Sequence, residues 1–270
     1  MFRPSLSHHI VTACLVTLSV FSGFTHAQSA KPELLLYCGI TMIRPMTEIA
    51  HSFEKRENVK VTLAQGGSED LYQSAKKSSQ GDLYLPGEPS FRAAHLSEGL
   101  LGDYATVGYN QMALMVKKGN PKKVKPDVQE LLRKDLITIL GNAESGSVGK
   151  EAKAILDSQG IYPKVVRQTA ILAPDSRSLV NAMKKGEADL TMNWRATGFF
   201  ADNAAALDVI DLDPKVAKPQ PLLLNLLTIS KNKDLAQRFM AFTASEEGQA
   251  IFRKHGFLDN KTKVAGKAIK

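Results

Sequence analysis

The sequence predicts an α/β protein with largely parallel sheets, and two observations lead to that fold class. Short apolar runs with strand character recur along the chain, at residues 34–37, 59–63, 83–85, 112–116, 136–140, 165–171, 190–193, 209–212 and 222–229. Between them the spacing is helical: the apolar residues Met46, Ile49, Ala50 and Phe53 fall at i, i+3, i+4 and i+7. Alternation of these two patterns is typical of sheets covered by helices.

The first 27 residues have the composition of an export signal. Arg3 supplies the positive charge, residues 10–24 form the apolar run, and Ala27 ends a small-x-small cleavage site. The apolar run is shorter than the roughly 20 residues that a transmembrane helix needs. Cys14 loosely suggests a lipoprotein, but the apolar residues lie mostly after it rather than before it. We therefore predict cleavage near Ala27 and export of a chain long enough for one large domain or two modest lobes.

Charge and cysteine content restrict the partners. The formal net charge is +8, but the lysines are scattered rather than interleaved with aromatic residues, which argues against a nucleic-acid partner. A mild attraction for anionic solutes is what the charge supports.

With Cys14 removed, Cys38 is left alone and has no partner for an intrachain disulfide. It is either a buried, inert thiol or a thiol close to a ligand.

Hydroxyl residues stand where predicted strands pass into predicted helices. The four junctions are Thr41 before 42–57, Ser68 before 69–78, Ser147 before 150–158 and Ser176 before 179–185. Each would offer a hydroxyl and free N–H groups at the positive end of a helix, where anions bind. The carboxyl ends of strands are also where α/β sheets place ligands. The alternative for each junction is an ordinary helix N-cap.

The order and spacing of these junctions resemble the molybdate/tungstate-binding periplasmic proteins, within the larger type 2 periplasmic solute-binding superfamily. The resemblance covers roughly residues 34–257, and its marks are residues 41–50, 66–68 with 71–72, 81–85, 141–156 and 250–257. It implies a two-lobed type 2 periplasmic binding protein fold with two crossover strands. We place lobe 1 at 31–115 and 225–270, and lobe 2 at 116–224, after a signal peptide at 1–27.

The resemblance also implies a ligand shell of hydroxyls and backbone amides, without a cofactor. Matched by motif, the shell comprises Thr41, Ser68, Val148, Ser176 and Trp194, the last of which stands where the family has a tyrosine. The implied partners are a small oxyanion and the permease of an ABC transporter, for a monomer in the periplasm.

Departures from the family pattern leave the identity of the anion open. Glu69 and Asp70 follow the second junction and would oppose a dianion unless they point to solvent. Further candidates for ligand contact are Cys38, Ser147, Arg177 and Arg195. Arginines here, including Arg44, could clamp a ligand or pair with neighbouring carboxylates such as Glu48 or Asp175. Sulfate, phosphonate, arsenite and carboxylates therefore stay beside molybdate and tungstate as alternatives.

Two other classes of function were weighed. A catalytic Cys38 needs a neighbouring base, and the patterns place neither His51 nor His255 at a strand end. No HExxH or paired CxxC pattern predicts a metal site. We therefore predict no catalytic and no metal-binding residues, with a thiol-dependent enzyme as the weakest alternative. A receptor with the same lobes that feeds a sensor kinase is the other alternative to transport.

Overall fold

The computed structural model describes residues 31–259, so the predicted export signal, with Arg3 and Cys14, lies outside the described residues. Two five-stranded sheets organise this part of the chain. Among the described residues, no helix has both the length and the apolar character required to cross a bilayer.

The first sheet has the strand order β2-β1-β3-β10-β4. Its strands are β1 (Glu33–Gly39), β2 (Lys60–Gly66), β3 (Leu83–Leu85), β4 (Leu101–Asn110) and β10 (Gln220–Leu227). Strand β1 pairs in parallel with β2 and β3, whereas β10 runs antiparallel to β3 and β4. The carboxyl ends of the three parallel strands therefore lie at one edge.

The second sheet repeats this arrangement with the order β7-β6-β8-β5-β9. Its strands are β5 (Met112–Lys117), β6 (Thr138–Gly141), β7 (Ile171–Ala173), β8 (Leu190–Trp194) and β9 (Leu207–Asp211). Strand β6 is parallel to β7 and β8, and β5 is antiparallel to β8 and β9. We call each sheet with its helices a lobe, lobe 1 and lobe 2.

Within residues 31–259, eight α-helices lie between strands and two more follow β10. They are α1 (Ile43–Glu57), α2 (Ser68–Ser78), α3 (Ser90–His95), α4 (Ser147–Ser158), α5 (Tyr162–Gln168), α6 (Ser176–Lys184), α7 (Arg195–Phe199), α8 (Ala201–Ala204), α9 (Lys233–Ala244) and α10 (Glu246–Lys254). Short 3-10 helices occupy Ile40–Met42, Leu96–Glu98 and Val128–Leu132. Both lobes are thus α/β layers, as the sequence predicts.

Each sheet has its own hydrophobic core. The apolar stripe predicted for α1 is buried in lobe 1, where Phe53 meets Phe239 of α9 edge to face with ring centroids 5.0 Å apart. In lobe 2 the helices α4 and α6 bury residues such as Leu156 and Leu179 against the second sheet. Burial of each such side chain contributes about 1.5–3 kcal/mol, so the two lobes are held rigid enough to position their helix ends.

The chain passes between the sheets at two places. The first passage lies between Asn110, the last residue of β4, and Met112, the first of β5; the second lies between Asp211 and Gln220. The predicted lobe limits at 115/116 and 224/225 differ from these sheet memberships by a few residues, because the apolar strands β5 and β10 show no change of pattern at the crossing. The lobe limits as domain boundaries stay a prediction.

One predicted strand was wrong, and one observed strand was missed. Residues 165–171 read as a strand because of their β-branched valines, but α5 runs through Gln168 and buries Val165 before β7 begins. Strand β4 was not predicted at all, because Gly102, Asp103 and Gly108 interrupt its apolar pattern. Tertiary pairing with β10 overrides the weak local pattern of β4.

Candidate functional site

Three long helices begin with a serine at a strand end. Ser68, Ser147 and Ser176 are the first residues of α2, α4 and α6, while the N-cap positions are held by Gly67, Gly146 and Asp175. The three serine hydroxyls therefore do not serve as ordinary N-caps of their own helices. They are available for other partners, beside N–H groups that the helix geometry leaves without intrahelical acceptors.

These helix beginnings meet in a narrow crevice between the lobes. Lobe 1 contributes Gly39, Thr41, Gly66, Gly67, Ser68 and Gly87, and lobe 2 contributes Gly146, Ser147, Val148, Asp175 and Ser176. The crevice is closed down to about 10 Å³, which is room for roughly one water, so the lobes must move slightly apart to admit a larger anion. Thr41, Ser68, Val148 and Ser176 are thus brought together from four separate junctions, as the sequence analysis expected of a shared site.

Hydroxyls that line the crevice form hydrogen bonds within it. The Thr41 hydroxyl of lobe 1 donates to Ser176 Oγ of lobe 2 at 3.2 Å, whereas Ser68 Oγ accepts from the Gly87 backbone N–H of its own lobe at 3.0 Å. Thr41, Ser68 and Ser176 are only 5%, 3% and 3% exposed. A hydroxyl can donate as well as accept, so these groups can turn their protons toward a bound anion.

Trp194 lies behind the crevice rather than in its wall. The indole is fully buried, and its Nε1–H donates to Ser147 Oγ at 3.2 Å. Trp194 therefore orients the Ser147 hydroxyl, which itself lines the crevice. Direct contact between Trp194 and a ligand stays a prediction.

Gly87 allows the two lobes to approach closely. A Cβ atom placed on this residue would lie 2.2 Å from Ser147 Oγ and 2.9 Å from Ser147 Cβ. Gly67 approaches lobe 2 in a similar way, with the Ser145 carbonyl oxygen 3.2 Å from its hypothetical Cβ. Sequence reasoning singled out Gly67 but missed Gly87, whose only signal is the Pro86-Gly87 pair after a short strand.

A polar contact across the lobes lies next to Gly87. Lys150 Nζ of α4 is 3.8 Å from Glu88 Oε1 and 4.4 Å from the centre of the Phe91 ring. Glu88 is 4% exposed and also accepts a hydrogen bond from the Ser90 backbone N–H at 2.7 Å. This pair helps to hold the lobes together, and no pattern in the sequence indicated it.

The acidic residues after Ser68 are neutralised or face solvent. Glu69 accepts hydrogen bonds from Gln73 at 2.8 Å and contacts His95 at 2.9 Å. Partial burial raises the pKa of Glu69, but these hydrogen bonds outweigh the burial and lower it below the usual value. Asp70 is exposed. The negative charges that were expected to oppose a dianion are therefore either paired or solvated.

Two arginines have carboxylate partners other than the expected ones. Arg195 is 4% exposed, binds Asp211 at 2.8 Å and donates to the Gly256 carbonyl at 2.9 Å. It braces the region where the chain crosses between lobes and does not line the crevice. Arg44 binds Asp202 at 2.6 Å.

Arg177 donates to Gln65 Oε1 at 2.9 Å across the lobes. Its partner is a neutral amide rather than a carboxylate, so its positive charge is not neutralised by this contact. Arg177 is not among the residues that line the crevice, so its contact with a ligand stays a prediction.

The lone thiol is part of the hydrophobic core. Cys38 of β1 is fully buried within the apolar cluster of lobe 1, and burial raises the pKa of its thiol well above the usual range. It is absent from the residues that line the crevice within the described part of the chain. The inert alternative therefore fits Cys38, because a protonated, enclosed thiol has no route to a soft anion.

The fold and this crevice define a two-lobed α/β binding protein. The family of bacterial extracellular solute-binding proteins matches residues 34–258, and the chain belongs to that family. A Haemophilus influenzae protein named as a binding protein is 23% identical over 248 residues, which cover 91% of this chain and 98% of that protein.

Solved structures share the same fold. The periplasmic molybdate-binding protein of Azotobacter vinelandii superposes with a TM-score of 0.71 at 14% identity, over 83% of this chain and 98% of its own. PEB3 of Campylobacter jejuni, bound to L-phospholactate, superposes with a TM-score of 0.68 at 18% identity, over 84% of this chain and 100% of its own. The two-lobed fold class predicted from the sequence is confirmed.

Proposed function

We propose that the protein is a periplasmic solute-binding protein that traps a small oxyanion between its lobes and delivers it to the permease of an ABC transporter. One observation carries this proposal: the first turns of α2, α4 and α6 and the hydroxyl of Thr41 meet in a single crevice. Membership of an extracellular solute-binding family supports export and binding.

The crevice suits an anion for electrostatic reasons. Each helix beginning carries roughly half a positive charge and several free N–H groups, and three of them surround the same space. A tetrahedral oxyanion presents acceptors in all directions, so it can take hydrogen bonds from both lobes at once. An open state would satisfy only one set of donors, and the ligand therefore favours closure.

The composition of the wall narrows the ligand class. Asp175 is the one ionisable residue among the residues that line the crevice, and its carboxylate accepts from the Ser178 backbone N–H at 2.8 Å as the N-cap of α6. Recognition then depends on N–H and O–H groups, which favours molybdate, tungstate, sulfate or a phosphate-type group. The molybdate-binding and phospholactate-bound relatives support an anion of this kind.

The surroundings of the reactive side chains support binding rather than catalysis. Cys38 is enclosed in the core, and the imidazole of His95 is engaged by Glu69 and Glu98 at 2.9 and 2.8 Å. His255 contacts Glu48 at 3.0 Å. In this arrangement none of the three forms the nucleophile and base pair that thiol catalysis needs.

A thermal-shift screen of the mature protein tests the proposal. Molybdate, tungstate, sulfate, phosphate and simple phosphonates are added at a concentration of about 100 times Kd for a tight ligand, which stabilises the fold by about 2.7 kcal/mol. For a chain of this size that corresponds to a rise in Tm of about 5–11 °C. If no oxyanion raises Tm, the proposal is wrong.

A pair of serine variants assigns the binding to the crevice. Ser176→Ala removes a hydroxyl from the crevice and is expected to weaken the best anion by about 1.5–3 kcal/mol, the value of a hydrogen bond to a charged group. Ser158→Ala is the matched control, because Ser158 ends α4 and its hydroxyl bonds to the Ile155 carbonyl at 2.7 Å. Equal affinities of the two variants would place the ligand elsewhere.

A further inference from the structure

A second, larger cavity lies beside the crevice and shares three of its lining residues. It has a volume of about 200 Å³, and Ile40, Thr41 and Ser176 belong to the walls of both spaces. At about 30 Å³ per water molecule it holds roughly seven waters. A bare tetrahedral anion in the crevice would leave this space unused.

The walls of the cavity are polar on one side and carry an excess of positive charge. Arg44 and Arg177 both line it, together with Asp202. Arg44 binds Asp202 at 2.6 Å, and Lys184 approaches the same carboxylate at 3.6 Å. Arg177 bonds to the neutral Gln65 amide. Arg44 and Lys184 therefore share the Asp202 carboxylate. Arg177 adds a positive charge to the lining that the neutral Gln65 amide does not balance, which favours a negative group in the cavity.

An unsatisfied hydroxyl lies in the same wall. Thr197 of α7 lines the cavity and is 3% exposed, and within residues 31–259 its Oγ1 has no hydrogen-bond partner. A buried hydroxyl without a partner is costly and uncommon. Rotation of the Thr197 side chain toward the cavity would let a polar group of a ligand supply the missing partner.

Part of the remaining wall is apolar and can cover a short carbon chain. Ile43, Val180 and Phe200 line this part, beside the amides of Asn181 and Asn203, and the Phe200 ring lies under the Arg44 guanidinium at 4.5 Å. The cavity thus combines an apolar surface for carbon atoms with cations and a hydroxyl for a polar end.

We propose that this cavity is a second subsite, which takes the carboxylate-bearing tail of an organic phosphate or phosphonate whose oxyanion group lies in the crevice. The proposal rests on the function proposed above and names the ligand class. Arg177 would bind the tail carboxylate, since a guanidinium and a carboxylate form paired hydrogen bonds. Thr197 would bind a tail oxygen.

Titration calorimetry with two phosphonates tests the subsite. Methylphosphonate fills only the crevice, whereas 3-phosphonopropionate adds a two-carbon tail that ends in a carboxylate. We expect 3-phosphonopropionate to bind at least tenfold more tightly than methylphosphonate to the wild-type protein. The ratio of the two affinities is the readout, because it cancels effects on the shared phosphonate group.

Variants of the cavity wall then test whether the gain in affinity comes from contacts of the tail with this cavity. Arg177→Gln and Thr197→Val are expected to reduce the affinity ratio severalfold or more. Arg133→Gln is the control, because Arg133 is paired with Glu130 and Asp135 at 2.9 and 2.7 Å on another part of lobe 2; it should keep the ratio. For Thr197→Val the Tm without ligand should stay equal or rise, since the variant removes an unsatisfied buried hydroxyl.

The failure of this inference and that of the proposed function are distinguishable. Equal affinities for the two phosphonates, a ratio unchanged in Arg177→Gln, or binding of inorganic oxyanions without binding of phosphonates would overturn the second subsite and leave the crevice as an anion site. If neither inorganic oxyanions nor phosphonates bind, the proposed function itself is wrong.

Discussion

Replacement of Gly87 by alanine is expected to weaken ligand binding while both lobes stay folded. The new methyl group would lie 2.2 Å from Ser147 Oγ and 2.9 Å from Ser147 Cβ. Rotation of the hydroxyl relieves the first clash but not the second, because Ser147 Cβ is fixed to the first residue of α4. The backbone of Gly87 is not in the left-handed region, so alanine adds no strain of its own.

The size of the effect follows from the overlap. Two carbon atoms normally stay about 3.5–4.0 Å apart, so the lobes must separate by roughly 0.6–1.1 Å to admit the methyl group. Overpacking of this kind costs about 1–3 kcal/mol. If the cost falls on the closed, ligand-bound state, the affinity drops by roughly 5- to 140-fold.

Titration calorimetry with the tightest anion measures this loss. Gly102→Ala is the matched control, because Gly102 lies in β4 and its added Cβ would make a tight contact, 3.3 Å from the Leu226 carbonyl oxygen, within lobe 1 and not between the lobes. Thermal unfolding without ligand should show that Gly87→Ala remains folded. Wild-type affinity in Gly87→Ala would refute the closed geometry on which the reasoning depends.

Three further outcomes are expected. Ser68→Ala should weaken anion binding by about 1.5–3 kcal/mol through loss of a hydrogen bond to a charged group; calorimetry that finds no change counts against the crevice. Trp194→Phe should weaken binding by about 0.5–1.5 kcal/mol, because the indole N–H no longer orients Ser147 Oγ; unchanged binding would mean that the indole has no such role. Partial burial lowers the pKa of His95, but hydrogen bonds to two glutamates outweigh it and raise the pKa. The interaction of the protonated His95 with the two glutamates therefore stabilises the fold below about pH 6.5 and is lost as pH rises through the raised pKa. The Tm of the wild type should then exceed that of His95→Gln by more at about pH 5.5 than at about pH 9. A difference in Tm that does not vary with pH would contradict it.

The sequence predicted the helix junctions well because they carry strong local signals. A glycine or aspartate followed by a hydroxyl residue marks the start of α2, α4 and α6, and the predicted starts lay within three residues of the observed ones. The predicted starts come late because a serine ahead of a helical pattern usually marks the N-cap, whereas here the N-cap is the residue preceding each serine. That single shift is what leaves the hydroxyls of Ser68 and Ser147 available for a ligand.

Contacts between distant parts of the chain could not be predicted from local patterns. The approach of Gly87 to Ser147 joins residues in different lobes, and the same is true of the Glu88 and Lys150 pair. The partner of Arg195 was likewise misjudged, because Asp211 becomes its neighbour only when the second sheet forms. Each of these contacts depends on how two folded units meet, which strand and helix periodicity does not report.

A crystal structure of the protein with its tightest anion shows whether the ligand lies between the lobes. We expect one anion in the crevice, within about 3.2 Å of donors on both lobes: Thr41 and Ser68 on one side, Ser147 and Ser176 on the other. This expectation would be contradicted by an anion that contacts donors of one lobe alone, or one that binds outside the space enclosed by the beginnings of α2, α4 and α6.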